Sequence, residues 1–315
     1  MSDNTTDDHS QIEPQSRPSR KIRHRKVFAV LPTLLTLCNA ACGFGAISIA
    51  AKVGPDHFQG LELFTAAKLI FLAMLFDALD GSAARLTNQT SDFGAQLDSL
   101  CDAISFGVAP AFLMLQLAHP EHHRMDAILV APYNYLPQIL LEVLPRILWA
   151  IAILYMWCAL LRLGRFNVET DDDDSHDSFS GLPSPAAAGV VASFLIAVQL
   201  VSTGKVVRWL RPAVDYLLPA LIVVVPLVTL AVALLMVSRI RYAHLFNQMI
   251  RGRRSRKQIL QMVFALVVVL VFFELALPVL FCVFAFAAPV RAFWDRYYLK
   301  LNKNKTVSPE ETKAV

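Results

Sequence analysis

Long apolar stretches recur along this chain, and each is long enough to cross a bilayer. A helix of about 20 apolar residues spans a hydrocarbon core of roughly 30 Å. The chain has 315 residues, of which 56% are hydrophobic and only 17% are charged. Lipid leaves every backbone polar group to be satisfied internally, so stretches of this kind fold as helices. The pattern predicts an all-α, polytopic transmembrane bundle with no separate soluble domain.

About eight spans are predicted, as a six-helix core followed by two short carboxyl-terminal helices. The run 258–291 is ambiguous because Glu274 and Pro278 interrupt it. A break there gives two short helices, whereas no break gives one overlong helix, and we expect two. The predicted spans lie near residues 28–52, 61–85, 93–117, 143–166, 184–203, 214–237, 258–273 and 276–291.

Lysine and arginine cluster at both chain ends and in the loop 239–257. Loops rich in these residues stay in the cytoplasm, so this distribution predicts an inner-membrane protein with both ends inside. The loop 204–213 does not fit this rule, because it carries three basic residues although it is predicted to lie on the outer side. The expected divisions are a disordered basic cytoplasmic arm at 1–26, a transmembrane domain at 27–292 and a cytoplasmic tail at 293–315.

Four aspartates interrupt two of the apolar spans at helical spacing. Asp77 and Asp80 lie near the end of the second span, and Asp98 and Asp102 near the start of the third. A carboxylate at membrane depth costs about 2.5–3.5 kcal/mol, so four acids together need a compensating partner. Residues three or four apart share a helix face. A divalent cation is the expected partner, and oxygen ligands favour Mg²⁺ or Mn²⁺ over zinc.

Small residues accompany these acids on the same two spans. Gly81 and Ala84 continue the face of the first pair, and Gly94 opens that of the second. A bulky polyanion could therefore approach the backbone there. Arg85 adds a fixed positive fork suited to phosphate or carboxylate. The predicted orientation puts this site near the cytoplasmic surface.

In chain order, the motif resembles the signature of the CDP-alcohol phosphotransferase family. The resemblance implies transfer of a substituted phosphoryl group from a CDP-linked donor to an alcohol, with release of CMP. It assigns the acids mainly to a two-metal site and proposes Asp102 also as the base. The motif reads Asp77-x-x-Asp80-Gly81-x-x-Ala84-Arg85, eight residues, then Gly94-x-x-x-Asp98-x-x-x-Asp102. The residues expected at the nucleotide-bearing donor are Gly81, Ala84, Arg85, Gly94 and Asn39.

Two further segments resemble the membrane-embedded phosphatidylserine synthases of this superfamily. Residues 161–167 match an R-L-x-R-F-N pattern, with Gly164 where alanine is common, and residues 179–186 match F-x-G-L-P-x-P-A. The first span is also similar, although Thr33 stands where asparagine is common. The resemblance implies CDP-diacylglycerol as donor, L-serine as acceptor and a homodimer in the bilayer. No nucleic-acid partner is expected.

Two arginines are candidates to bind the carboxylate of the serine acceptor. Arg162 and Arg165 lie at a predicted cytoplasmic helix end, where a guanidinium can bind a carboxylate bidentately. With Asn167 they are the expected serine-binding residues. Either arginine could instead bind donor phosphate or simply anchor the helix at the membrane surface.

Three alternatives remain open from the sequence. The same chemistry could use glycerol 3-phosphate or an inositol phosphate as acceptor. An ion-coupled transporter also buries acids, but usually near the midplane between broken helices. The acids could also be ordinary polar contacts between helices.

The remaining polar clusters are not expected to be functional. The acidic run 171–177 is interpreted as a hydrated loop, and His119, His122 and His123 as outer-surface residues. Five cysteines lie in apolar spans without a C-x-x-C pair, and we expect reduced packing residues. They are Cys38, Cys42, Cys101, Cys158 and Cys282.

Overall fold

A computed structural model of the chain describes residues 20–54, 60–87, 92–119, 137–171, 179–202, 211–242 and 273–306. Within these ranges the fold is helical, apart from one pair of two-residue strands. The helices are α1 Arg20–Ala50, α2 Gly60–Thr87, α3 Asp92–Asp102, α4 Ala109–Ala118, α5 Gln138–Asp171, α6 Ser184–Ser202, α7 Arg211–Val237 and α8 Phe273–Thr306. A π-helical turn, Ala103–Val108, joins α3 to α4, and the strands are β1 Phe179–Ser180 and β2 Arg241–Tyr242.

Four helical segments in the described part are long and apolar enough to cross a membrane. They are Leu31–Ala50, Phe93–Ala118, Gln138–Val168 and Ala220–Val237. The second runs through α3, the π-helical turn and α4 as one span. Two shorter apolar stretches lie in α6 and α8. The helix α2 has the length of a span, but it carries more charged residues within a span's length, among them Lys68, Asp77 and Asp80.

Helices occur where the first six spans were predicted. The seventh, near 258–273, lies almost wholly outside the described residues, so the count of eight stays a prediction. The eighth is part of a longer helix than expected, since α8 continues to Thr306. It also runs through Pro278 without ending, so the expected interruption does not fall at that proline. Proline is tolerated in membrane helices because neighbouring groups satisfy the backbone it leaves unpaired.

The helix α6 forms the centre of the bundle. Its residues from Ala187 to Val198 are buried throughout, and α2, α7 and α8 pack against it. A Cβ at Gly189 would lie 2.7 Å from Cζ of Phe281, so α8 approaches α6 more closely than alanine would permit. Close contact at small residues is how membrane helices associate.

The outer surface of the bundle is apolar. Large side chains such as Phe44, Trp157 and Leu161 are more than half exposed, as expected for groups that face lipid rather than water. All five cysteines are free, as predicted.

Candidate active site

Three of the four predicted acids converge where the carboxyl-terminal half of α2 meets α3. The end of α2 carries Asp77, and α3 carries Asp98 and Asp102 one turn apart. One carboxylate oxygen from each lies within 4.8 Å of the others. Three carboxylates at this separation repel strongly in a low-dielectric setting. The arrangement therefore favours a bound cation.

The acids also leave acceptors without donors. Oδ2 of Asp80 and Oδ1 of Asp98 are buried and have no hydrogen-bond partner among the described residues. Asp80 is 5% exposed and lies one helical turn after Asp77, although it is outside the cluster of three. Buried acceptors are almost always paired, so orphaned oxygens beside a carboxylate cluster fit hard cations such as Mg²⁺ or Mn²⁺.

Asp102 is held by a residue of the first helix. The side-chain amide of Asn39 donates to Oδ1 of Asp102 at 2.8 Å, and Asn39 is fully buried. The hydroxyl of Ser105 donates to the Asn39 carbonyl at 2.9 Å. A Cβ on Gly43 would lie 2.7 Å from Cα of Ser105, so glycine permits this approach of α1. Asn39, predicted to bind the donor, thus contacts the acid rather than the cavity.

A cavity of about 520 Å³ opens beside the acids. This volume is in the range that holds a small-molecule ligand. Its walls come from α2, α3, the end of α5 and the start of α6. The lining residues are Asp77, Ala95, Asp98, Ser99, Asp102, Arg162, Leu163, Phe166, Asn167, Pro183, Ser184 and Pro185.

Two of the three predicted serine ligands line this cavity. Arg162 donates from Nε to the carbonyl of Leu182 at 3.0 Å, and its guanidinium carbon lies 5.6 Å from the ring centroid of Phe166. Asn167 is hydrogen-bonded to Ser99 of α3, with Nδ2 to Oγ at 3.0 Å. Arg165 is half-buried and is not among the lining residues. The structure therefore separates the two arginines that the sequence left equivalent.

The predicted donor-binding residues lie near the acids along the same helices. Gly81 is exposed, and a Cβ there would meet nothing within 4 Å, so its surface is open to a ligand. Gly94 is half-buried in the first turn of α3. Ala84 and Arg85 belong to the last turn of α2, but their side chains lie outside the described part.

Sequence reasoning missed several residues of the cavity wall. Ala95, Ser99 and Asp102 follow one another at helical spacing, so Ser99 could have been found by extending the face of the acid. Phe166 lies one turn after Arg162 and could have been found in the same way. The burial of Ser184, which is 1% exposed, had no such signal.

The other predicted clusters lie apart from the site or outside the described residues. His119 follows α4 and is half-buried, while His122, His123 and residues 172–177 of the acidic run fall outside the described part. The interpretation of His122, His123 and the acidic run as surface groups stays a prediction.

Comparison with known proteins gives one family and several relatives. The sequence model described as CDP-alcohol phosphatidyltransferase matches residues 29–217. The chain is 37% identical over 54% of its length to "Archaetidylserine synthase" of Methanothermobacter thermautotrophicus, covering 59% of that protein. It is 33% identical over 51% of its length to "CDP-diacylglycerol--serine O-phosphatidyltransferase" of Helicobacter pylori, covering 55%. The chain is 32% identical over 50% of its length to a protein of the same name from Mycobacterium bovis, and the match covers 46% of that protein. The chain spans about half the length of these curated relatives.

Proposed function

The chain belongs to the CDP-alcohol phosphatidyltransferase family, and we propose that it transfers the phosphatidyl group of CDP-diacylglycerol to the hydroxyl of L-serine. The products are phosphatidylserine and CMP. The observation that carries the proposal is a single cavity lined by three motif carboxylates and by Arg162. Relatives whose names specify serine as acceptor support the choice of substrate.

The family is metal-dependent, and the acids fit Mg²⁺ or Mn²⁺. Asp77, Asp98 and Asp102 would hold a cation, and Asp80 would complete a two-metal site with its orphaned oxygen. Bound there, the metal would neutralise the donor's diphosphate and stabilise the charge that develops on the leaving phosphate.

The transfer step requires one bond to form and one to break. The serine hydroxyl oxygen bonds to the phosphorus that bears diacylglycerol, while the bond from that phosphorus to the bridging oxygen of CMP breaks. The electron pair leaves with CMP, and the hydroxyl proton passes to Asp102. Because the Asn39 amide binds Oδ1 of this carboxylate, Oδ2 is the oxygen that would take the proton.

The two substrates would bind through different groups of residues around the acids. Gly81, Ala84, Arg85 and Gly94 would bind the nucleotide-bearing donor, with its acyl chains entering laterally between helices. The expected serine ligands are Arg162, Arg165 and Asn167, of which the first and last line the cavity.

The chain is an integral membrane protein, as its apolar helices and its family require. We further propose eight spans, an inner-membrane location and a site that faces the cytoplasm, where CDP-linked substrates and serine are found. The domain division at residues 27 and 292 and a homodimer with separate active sites belong to the same proposal.

The test is product formation by the purified protein in detergent. CDP-diacylglycerol with Mn²⁺ or Mg²⁺ is supplied with serine, glycerol 3-phosphate or inositol phosphate in separate reactions, and CMP and the lipid product are measured. Phosphatidylserine formed only with serine, and lost with EDTA, is the expected result. A product with another alcohol would keep the chemistry and replace the substrate. Folded protein that releases no CMP in any reaction would contradict the enzyme and favour a transporter.

A further inference from the structure

The loop that precedes α6 is fastened to the end of α7 by backbone hydrogen bonds. Its strand β1 pairs in antiparallel register with β2, which follows α7. The next two residues continue the attachment: the N–H of Gly181 donates to Ile240 at 2.9 Å, and that of Leu182 donates to Leu235 at 3.1 Å. Four consecutive residues are thus held against one helix end.

This attachment requires a glycine at position 181. Gly181 has a φ of +88°, which L side chains rarely adopt. A Cβ there would collide with the carbonyl oxygen of Met236 and would lie 3.1 Å from that of Ser238. Both obstacles are backbone atoms, so neither can move aside without shifting the end of α7.

The same loop orients an arginine of the cavity. The carbonyl of Leu182 accepts the hydrogen bond from Nε of Arg162 at 3.0 Å, and Phe166 lies against the guanidinium. Fixing Nε fixes the plane of the guanidinium, and with it the fork formed by the two terminal nitrogens. A preset fork of this kind suits bidentate binding of a carboxylate.

Charge in the cavity favours a carboxylate at this arginine. Asp77, Asp98 and Asp102 also line this cavity, so an acceptor that carries a carboxylate needs a cationic group to offset their negative charge. Among the described lining residues, Arg162 is the one with a permanent positive charge. Arg165 is not on this wall.

We infer that Arg162 binds the carboxylate of the amino-acid acceptor, and that Gly181 is a positioning residue that sets its orientation through the Leu182 carbonyl. The inference rests on the proposed function, since it takes serine as the acceptor. It joins the acceptor site to the end of α7, which bears no residue of the catalytic motif.

The first test compares steady-state kinetics of Gly181→Ala with Gly164→Ala. We expect Gly181→Ala to raise KM for serine about tenfold, because the displaced arginine binds serine less tightly both before and during the reaction. KM for CDP-diacylglycerol should stay within a factor of about two. Gly164 is an exposed helical glycine with open space around it, so its alanine variant should match the wild type. Equal rises in both KM values for Gly181→Ala would overturn the inference.

A double-mutant cycle then asks whether Gly181 acts through Arg162. Arg162→Lys keeps the charge but loses the planar fork, and it should raise KM for serine selectively. In that background Gly181→Ala should add no further change, since residues that act as one unit are not additive. An independent and equal effect of Gly181→Ala in both backgrounds would refute the coupling.

Folding and activity controls separate the possible failures. If Gly181→Ala does not fold in detergent, Arg162→Lys decides alone, and a wild-type KM for serine in that variant overturns the inference. Wild-type protein that makes no phosphatidylserine would instead remove the proposed function. Active wild type with unaltered variants would remove only the role of Arg162 and Gly181.

Discussion

At the scale of single residues, the acids depend on one another and on a cation. Asp77, Asp98 and Asp102 bring their oxygens within 4.8 Å, and no arrangement of three like charges is stable there without compensation. Asp80 adds a buried oxygen that lacks a donor. The helical spacing of each pair predicted a shared face, and the motif predicted that the two faces meet. This part of the site was readable from sequence.

Replacing Asp98 by asparagine should abolish catalysis without unfolding the protein. The variant keeps the shape of the side chain and removes one charge from the cluster, which also relieves repulsion. We expect CMP release to fall by at least about a hundredfold, the scale of losing one interaction with transition-state charge. Initial rates with CDP-diacylglycerol and serine measure this.

Binding of the metal gives a second readout for the same variant. Mn²⁺ should raise the thermal unfolding midpoint of the wild type, because a ligand of the folded state stabilises it. It should raise that of Asp98→Asn much less. Gln96→Ala, an exposed neighbour on α3, is the control and should behave as the wild type. Full activity in Asp98→Asn would contradict the metal site.

The contact between Asn39 and Asp102 shows what residue patterns cannot reveal. The two residues are 63 positions apart and lie on different helices. The sequence resemblance placed Asn39 with the donor. No periodicity within α1 or α3 specifies which side chains meet across their interface, since that depends on the relative rotation and depth of the helices. The sequence thus identified Asn39 as a candidate site residue but did not identify Asp102 as its partner.

Asn39→Ala discriminates between these two roles. Loss of a hydrogen bond to a charged group should lower kcat by about ten- to a hundredfold, because Asp102 is no longer oriented. KM for CDP-diacylglycerol should stay within a factor of about two. A large rise in that KM with kcat unchanged would return Asn39 to donor binding. Ser48→Ala, at an exposed position on the same helix, is the control.

At the scale of elements, the least predictable feature is the π-helical turn that begins directly after Asp102. Sequence reasoning predicted one uniform helix over 93–117. In a π-helical turn one extra residue is inserted, and such turns occur frequently at functional sites. Here neighbouring helices hold it from two sides. The Ser105 hydroxyl of the turn donates to the Asn39 carbonyl of α1 at 2.9 Å, and the Tyr155 hydroxyl of α5 donates to the Phe106 carbonyl at 3.2 Å. The turn therefore depends on tertiary contacts that local sequence does not encode.

Tyr155→Phe tests how much the hydrogen bond from the Tyr155 hydroxyl contributes to stability. Tyr155 is fully buried, so the substitution removes one hydrogen bond and little packing. Interhelical hydrogen bonds in membranes are worth about 0.6 kcal/mol on average, and up to roughly 1.7 kcal/mol. We expect a loss of stability in this range, measured by denaturation in detergent. Trp157→Phe, at an exposed position on α5, should cost less; equal losses would contradict a specific role for the bond.

The helices could be located from local sequence, whereas the pairing of the strands could not. Long apolar runs located the helices because length and hydropathy are local properties. The pairing of β1 with β2 joins Phe179 to Tyr242, and nothing in either dipeptide indicates it. Gly181 appeared in the sequence only as part of a motif, whereas its positive φ explains why glycine is required there.

At the scale of the whole molecule, the bundle has a buried centre and an apolar exterior. The central helix α6 touches α2, α7 and α8, so the acids, the loop before α6 and the last helix belong to one packed body. Hydropathy predicted this class of fold because lipid selects for it directly. The direction in which the body crosses the membrane is a separate matter, since helix packing is the same in either orientation.

Orientation follows from charge, and it decides whether the cavity can receive nucleotide. Single cysteines at Ser255, Ala131 and Gly204 would sample the loops 239–257, 118–142 and 204–213. An impermeant maleimide should label Ser255→Cys only from the cytoplasmic side and Ala131→Cys only from the opposite side. The wild type is the control, since its cysteines lie in the spans.

Gly204→Cys tests the loop 204–213, which is basic although a bundle of eight spans places it on the outer side. Reversed labelling at Ser255 and Ala131 would put the acids at the wrong surface for CDP-linked substrates, whereas cytoplasmic labelling of Gly204→Cys alone would change the span count and leave the site where it is.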